Sequence, residues 1–458
     1  FINIDKIGLT ANGKVDMKSL EVLIENSIVN KSKSTSCEDD DEVTELIKEI
    51  HLIFEENLGV MNISYSANVY DYGADSLVLS RIVGKVRDML VEKYSHQCTS
   101  QDISFDRLLR EILNKPTTLE FGTFVENLLE KKTQVKAVTE KKNEKLGLFT
   151  YKGGNKEGEV ARLVFHAGLG TMNCFRFLLP HLLEQNLGPV YGITIQDMDR
   201  YCSIPANELV VKLGTEYANT IVEKGIKKVQ LIGYCMGGLI ALETARELQR
   251  LEIEVEDFLL VDSAPVPYDI EESIALELVF ITNYFITVED VYSEITNQEF
   301  VEIIMHIFSS YGKRLHKEDF YEIADKSKYK KATAFLKKME SIPIEQRFKD
   351  YVATMERLGR GEASYEMLLS NYHLYIHSFQ ASCVDAEPYF GNIRFLEATE
   401  PLDFIFTQTD DMKAYWNDRV IGQIDYIPIG GNHVTCVEDE ENAKTVAEYA
   451  KKGLENLE

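Results

Sequence analysis

"LIGYCMGGLI", residues 231–240, is an apolar run that breaks on glycine, tyrosine and cysteine and then resumes at helical spacing. Gly233-Tyr234-Cys235-Met236-Gly237 fits the pattern G-x-S-x-G with cysteine in the place of serine, the pattern of a nucleophile carried on a sharp strand-to-helix turn. Glycine two residues to either side is what such a turn demands, because a bulkier side chain would run into the neighbouring strand or helix. The surroundings agree: "KVQLIGY" (228–234) reads as a buried strand and "GLIALETARELQRL" (238–251) as an amphipathic helix. A free cysteine is elsewhere most often a small buried hydrophobe. At the apex of this elbow the expectation is a nucleophile.

A nucleophile needs a base and a group to orient that base, and hydrolases of this layout supply them in the chain order nucleophile, acid, histidine. Asp262 closes the buried run "FLLVD" (258–262), where a strand tip would emerge, and His433 sits in the glycine-led loop "PIGGNHVTC" (428–436). Asp262 could instead be a strand-end cap; Glu400, Asp403 and Asp410 are the fallback acids. The backbone N–H of Met236 is one expected oxyanion donor. The other is expected in the turn "FHAGLG" (165–170), with Gly168 favoured and Leu169 next, unless Gly168 simply turns the chain. His166, just before that turn, is read as a packing or hydrogen-bonding residue.

Around the elbow, "ARLVFHAG" (161–168), "VYGITIQ" (190–196), "KVQLIGY" (228–234), "EDFLLVDSAP" (256–265), "NIRFLEAT" (392–399), "LDFIFTQT" (402–409) and "QIDYIPIGG" (423–431) are short β-rich runs. Helical patterns such as "NELVVKLGTEYANTIVEKG" (207–225) separate several of them. That alternation predicts a mainly parallel sheet with helices on both faces. From about residue 268 to 385 the strand signal gives way to helical patterns, expected to form an inserted lid over the carboxyl edge of the sheet. Its aromatics, including Phe280, Tyr284, Phe285, Tyr292, Phe308, Tyr311 and Tyr372, would either line an acyl cavity or form the core of the insertion.

The composition narrows the partners. Forty-nine basic and 75 acidic side chains give the 458 residues a formal charge of −26, which disfavours nucleic acid and anionic membranes. The seven cysteines are scattered without a C-x-x-C, against a disulfide framework or zinc ribbon and in favour of a reducing cytoplasm. The chain opens on Phe1, with no signal peptide, and is expected to be a segment of a longer polypeptide. The longest apolar stretch, "ALELVFITNYFITV" (275–288), is too short to span a bilayer and is expected to be a buried helix. His373 and His377 stand at i, i+4, but with no acidic residue nearby to complete a ligand set they read as packing rather than metal ligands.

Two charged stretches, "NKSKSTSCEDDDE" (30–42) and "EKKTQVKAVTEKKNEKLG" (130–147), read as solvated linkers. Between them "VTELIKEIHLIFEENLG" (43–59), "SLVLSRIVGKVRDMLVEKY" (76–94), a segment near 104–113 and "TLEFGTFVENLLE" (118–130) carry helical periodicity, a small helical bundle. Ser76 is a natural helix cap.

The stretch "YDYGADSLVLSRIV" (70–83) resembles the phosphopantetheine attachment motif of acyl or peptidyl carrier proteins, which are four-helix bundles modified on the serine of G-x-D-S-L. The resemblance implies Ser76 as the site of covalent 4'-phosphopantetheine, with Asp75 before it. Residues 149–458 resemble the type I thioesterase domain that ends nonribosomal peptide synthetases, an α/β-hydrolase with a helical lid. Cys235, Asp262 and His433 then fall on its nucleophile, acid and base, although most members have serine where this chain has Cys235, and the lid is long. "IGLTANGKVDMKSL" (7–20) is similar to the closing motif of adenylation domains, with Lys14 as its lysine. The implied order is adenylation tail (1–30), linker (31–42), peptidyl carrier (43–132), linker (133–148) and thioesterase (149–458).

The activity so implied is release of a peptidyl or acyl group through an acyl-cysteine, by cyclisation or hydrolysis, in a multifunctional enzyme of secondary metabolism such as antibiotic biosynthesis. The implied partners are upstream adenylation and condensation modules, a phosphopantetheinyl transferase and the acyl or peptidyl thioester substrate. The competing readings are a free-standing esterase-like α/β-hydrolase, a proofreading thioesterase that removes misloaded groups, and a non-catalytic docking module.

Overall fold

The computed structural model describes residues 43–74, 76–94, 103, 105–130, 147–152, 158–195, 197–266, 269–270, 273–284, 286–311, 314–316, 318, 330–359, 364–383, 387–400 and 409–455. The expectations for residues 1–42, Lys14 among them, for Asp75, for Phe285 and for most of the linker 133–148 lie outside these residues, as do the side chains of Ser76, Phe308 and Tyr311. The chain falls into two compact units, the first formed by residues up to 104 with 115–137, the second by residues 105–114 with those from 138 onward.

In the first unit, helices Glu45–Leu58, Ser76–Tyr94 and Thr118–Glu130 follow the periodicity of their sequences. The Thr44 side chain accepts from the Ile47 N–H at 3.3 Å at the start of the first helix, and Gly59, at φ +66°, ends it in the left-handed conformation that glycine adopts without penalty. Ile47, Ile50, Phe54, Leu79, Ile82, Val83, Val86, Leu90, Phe121 and Val125 are buried. Each such side chain taken from water contributes about 1.5–3 kcal/mol. Helix Phe105–Asn114 belongs instead to the second unit, although its sequence falls in the stretch that resembles a carrier. The Tyr151 hydroxyl donates to the Asn114 carbonyl at 2.7 Å, and the Asn114 side chain accepts from the Met172 N–H at 3.1 Å.

The second unit is built on a seven-stranded sheet: β1 Gly147–Lys152, β2 Ala161–Phe165, β3 Val190–Thr194, β4 Lys228–Tyr234, β5 Glu254–Val261, β6 Ile393–Ala398 and β7 Ile424–Ile429. The spatial order is β1-β3-β2-β4-β5-β6-β7, and only β1 runs antiparallel to its neighbour. Successive strand residues feed two separate cores. Leu163, Phe165, Leu231, Phe258, Leu260 and Phe395 pack with helices Ala206–Glu223 and Met236–Arg250 on one face. Val164, Ile232, Leu259, Val261 and Leu396 pack with helices Leu178–Glu184 and Glu440–Glu455 on the other. Burial on both faces is why these strands read as mainly apolar runs rather than as alternating ones.

The expected strand at 402–409 lies outside the described residues except for Thr409, which opens a helix running to Arg419. The expected lid carries helices Ser273–Phe280, Asn297–Tyr311, Lys330–Glu340, Ile344–Arg357 and Tyr365–Ala381. The apolar stretch 275–288 is not one helix: the α-helix stops at Phe280 and a 3-10 turn, Ile281–Tyr284, follows. The reason is local, since Thr282 Oγ1 donates to the Val279 carbonyl at 2.7 Å and Asn283 Nδ2 to the Phe280 carbonyl at 2.8 Å, taking over carbonyls that a continuing helix would use. Phe280, Phe348 and Tyr372 stack on one another at 5.2–6.3 Å in the lid's own core. There the buried carboxylate of Glu277 receives the Arg347 fork at 2.6 and 2.7 Å and the Tyr351 hydroxyl at 2.5 Å.

Candidate active site

The turn between β4 and helix Met236–Arg250 places Cys235 at φ +54°, ψ −133°, a conformation rare for a residue with a Cβ and one that costs on the order of 1–3 kcal/mol. Three glycines make room for it. A Cβ on Gly233 would stand 2.6 Å from the Gly238 Cα, one on Gly237 2.5 Å from the His166 carbonyl, and one on Gly238 2.2 Å from Ser263 Oγ. Ser263 Oγ donates to the Cys235 carbonyl at 2.6 Å, and its own carbonyl accepts from Trp416 Nε1 at 2.6 Å, so the elbow is held from behind. Neither Ser263 nor Gly238 stood out in the sequence; the serine's only signal was its place directly after Asp262.

Asp262 follows β5 at φ +42°, its N–H bonded to the Leu396 carbonyl at 2.8 Å, and its Oδ1 accepts from the Ala398 N–H at 3.2 Å. Its Oδ2 lies 2.7 Å from His433 Nδ1. The loop after β7 is shaped by Gly431 at φ +82° and by the Asn432 side chain, which accepts from the N–H groups of Val434 and Thr435, both at 3.0 Å. The Tyr234 hydroxyl donates to the His433 carbonyl at 2.6 Å and the two rings lie 5.1 Å apart. With Nδ1–H directed at Asp262, the other imidazole nitrogen is left for the Cys235 sulfur, to which His433 is hydrogen-bonded.

The loops after β5 and β7 thus converge beside the nucleophile, Asp262 reaching His433 and His433 reaching the sulfur. Burial alone would push the Cys235 thiol up, but the adjacent His433 charge and hydrogen bond outweigh it, and the thiol is lowered. Burial alone would likewise lower His433, but the Cys235 sulfur and the Asp262 carboxylate raise it well above an ordinary imidazole. Both directions favour the thiolate–imidazolium pair over the neutral thiol and imidazole.

The Met236 N–H points to the same sulfur. Gly168 lies in the turn after β2, which closes through a Gly170 N–H bond to the Ala167 carbonyl at 2.9 Å. His166 is fully buried, 2.8 Å through Nδ1 from the Ala167 carbonyl and 3.0 Å through Nε2 from the Tyr217 hydroxyl, and burial lowers it to about 4. Of the fallback acids, Glu400 binds the Gly431 carbonyl through its backbone N–H, Asp410 sits at the start of helix Thr409–Arg419, and Asp403 is outside the described residues. His377 stacks edge-on against Tyr201 at 5.6 Å. Among the described residues no group of three or more His, Cys, Asp or Glu is placed to hold a metal ion. Ser76 begins helix Ser76–Tyr94.

Comparison with known proteins gives a family. A thioesterase domain model matches residues 163–453, more than half of the chain. The chain is similar to pyochelin synthetase PchF of Pseudomonas aeruginosa, 24% identical over 456 residues that make up 95% of this chain and 23% of that protein. It is also similar to bacitracin synthase 3 of Bacillus licheniformis, 26% identical over 263 residues, 57% of this chain and 3% of that one. The chain therefore spans less than a quarter of the length of these relatives. A solved structure of a four-domain nonribosomal peptide synthetase, holo-AB3403 bound to AMP and glycine, aligns over 99% of this chain and 28% of its own, at 17% identity and a TM-score of 0.48. The chain belongs to the thioesterase domain family and is a hydrolase of the α/β class acting on thioesters.

Proposed function

We propose that this chain is the terminal release segment of a nonribosomal peptide synthetase, in which a peptidyl or acyl thioester is transferred to Cys235 and then released to water or to a nucleophile within the chain itself. The observation that carries the reading is the Cys235–His433–Asp262 line, with the His433–Asp262 contact at 2.7 Å and the sulfur on the strained elbow. In this reading residues 43–132 act as a peptidyl carrier and 149–458 as the thioesterase, with the lid at about 268–385. The upstream partners are adenylation and condensation modules, and a phosphopantetheinyl transferase modifies Ser76. No helix among the described residues is long and apolar enough to cross a membrane.

Ser76 fits 4'-phosphopantetheine by the chemistry of its position. It carries the hydroxyl that the attachment chemistry needs and is the first residue of helix Ser76–Tyr94. When bound, that group presents the acyl carbon as a thioester.

The Cys235 thiolate attacks the thioester carbonyl carbon, and the developing oxyanion is stabilised by the Met236 N–H and a donor from the 167–170 turn. His433, as imidazolium, gives its proton to the departing thiol, leaving an acyl-Cys235 and a neutral imidazole. Nε2 then takes a proton from water or from the internal nucleophile as that oxygen or nitrogen attacks the acyl-Cys235 carbonyl. The Cys235 thiolate leaves, and the imidazolium pair is restored. Asp262 holds the ring in the tautomer both steps require. Because loading exchanges one thioester for another, it is close to isoenergetic, and the acyl group keeps its activation. That suits release by a weak internal nucleophile.

The test is to treat the chain with a phosphopantetheinyl transferase and a set of acyl-coenzyme A donors. The expected result is a mass gain on Ser76 and turnover of the acyl group that is lost in Cys235→Ala. Modification without turnover, or turnover retained in Cys235→Ala, would overturn the reading.

A further inference from the structure

The turn 167–170 is pinned by every one of its carbonyls. The Ala167 oxygen accepts from Gly170 N–H at 2.9 Å and lies 2.8 Å from His166 Nδ1; the Gly168 oxygen accepts from Ser378 Oγ at 2.6 Å. The Leu169 oxygen accepts from Arg110 at 2.9 Å, and the Gly170 oxygen from Ile195 N–H at 2.9 Å. In a trans peptide the N–H points opposite to the C=O. Each peptide unit joins the C=O of one residue to the N–H of the next, so the anchored Ala167 carbonyl fixes where the Gly168 N–H points, and the anchored Gly168 carbonyl fixes where the Leu169 N–H points. Gly168 has no side chain to limit its dihedrals, so the direction of the Leu169 N–H depends on what holds the Gly168 carbonyl.

Ser378 holds it, and Ser378 stands on the last lid helix, Tyr365–Ala381, only 2% exposed. Its hydroxyl proton is committed to Gly168, so the Tyr201 hydroxyl, 3.0 Å away and also buried, donates to Ser378 Oγ. The Tyr201 oxygen in turn lies 3.6 Å from Sδ of Met236. Met236, whose Sδ the Tyr201 oxygen touches, and the Gly168–Leu169 peptide, whose N–H is the second expected donor of this turn, are thus linked through two side chains that touch neither the sulfur nor the imidazole in any bond described above.

We propose that Ser378 and Tyr201 are positioning residues that set the spacing of the two backbone oxyanion donors and make that spacing depend on the seating of the last lid helix. The proposal rests on the release reading above and adds to it the residues that tune its oxyanion hole.

The experiment compares Ser378→Ala, Tyr201→Phe and Ser378→Thr in the full chain by two reactions. The first is release of a synthetic acyl-pantetheine thioester, resolved into kcat and KM. The second is alkylation of Cys235 by iodoacetamide, a displacement at carbon that forms no oxyanion. Ser378→Ala is expected to lower kcat by roughly 10- to 100-fold, the scale set by misplacing or losing one such donor, with KM within about twofold and alkylation unchanged. Tyr201→Phe, which keeps the ring, is expected to lower kcat by a smaller factor, and Ser378→Thr to restore most of the loss.

An unchanged kcat in Ser378→Ala, or a fall in alkylation that parallels the fall in kcat, overturns the proposal. Full release activity in Cys235→Ala overturns the nucleophile reading itself, a separate result from a wild-type Ser378→Ala beside an inactive Cys235→Ala.

Discussion

The close fit of Gly238 against Ser263 makes Gly238→Ala a quantitative test of how the elbow is held. The new Cβ would sit 2.2 Å from Ser263 Oγ, 2.5 Å from its Cβ and 3.0 Å from Leu260 Cδ2, so something must move by more than an ångström. Leu260 and Ser263 are fully buried, and the Ser263 carbonyl is tied to Trp416, which leaves the serine hydroxyl as the part that yields. Overpacking of this size costs about 1–3 kcal/mol, and loss of the Ser263–Cys235 hydrogen bond about 1 kcal/mol more. The expected loss is therefore about 2–4 kcal/mol, read as a lower urea midpoint of the α/β unit by circular dichroism, with slower alkylation of Cys235. Ser263→Gly removes both clashing atoms. In the double variant Gly238→Ala/Ser263→Gly the cost is expected to be no larger than that of Ser263→Gly alone, a favourable coupling of about 2–4 kcal/mol. Additive costs in the double variant would refute the packing argument.

The other predictions follow from the charges and the buried network. With the thiol lowered and the imidazole raised, the contribution of Cys235 to stability is present above the ordinary thiol pKa and lost as pH falls through the lowered one. That of His433 is present below the ordinary imidazole pKa and lost as pH rises through the raised one. The alkylation of Cys235 by iodoacetamide should accordingly persist to lower pH than that of an ordinary thiol of pKa about 8.5. In His433→Gln the uncompensated burial should move the reaction to alkaline pH. Glu277→Ala leaves the Arg347 charge buried without its partner and is expected to cost about 3–5 kcal/mol in urea unfolding, whereas Glu277→Leu with Arg347→Met should be far milder. Cys235→Ser should slow release of the acyl group, because loading would end in a less activated oxygen ester; the same product at an undiminished rate would contradict this.

The elbow was legible in the sequence because its constraints are local: glycine at 233 and 237, an apolar strand before and a helix after. Asp262 could be named because it closes the apolar run of β5, and His433 because it follows the last strand on a glycine-led loop in the chain order such sites use; the structure places both beside Cys235. β1 was missed, since "GLFTYK" is short, sits on the sheet edge and follows a charged stretch that masked its pattern. The break after Phe280 was missed because hydropathy does not register that Thr282 and Asn283 turn their side chains onto helix carbonyls. Helix Phe105–Asn114 was found, but periodicity says nothing about which body buries it. Ser263 and Ser378 were invisible for a related reason: a serine's hydrogen-bond partner is set by tertiary approach, and theirs lie far off in sequence.

The account stands most directly on the covalent step at Cys235. Offered an acyl-pantetheine thioester and quenched rapidly in acid, the chain should carry the acyl mass on the tryptic peptide containing Cys235, with none in Cys235→Ala and slower accumulation in Asp262→Asn. Release of product with no acyl group ever found on that peptide, or with the group on another residue, would contradict it.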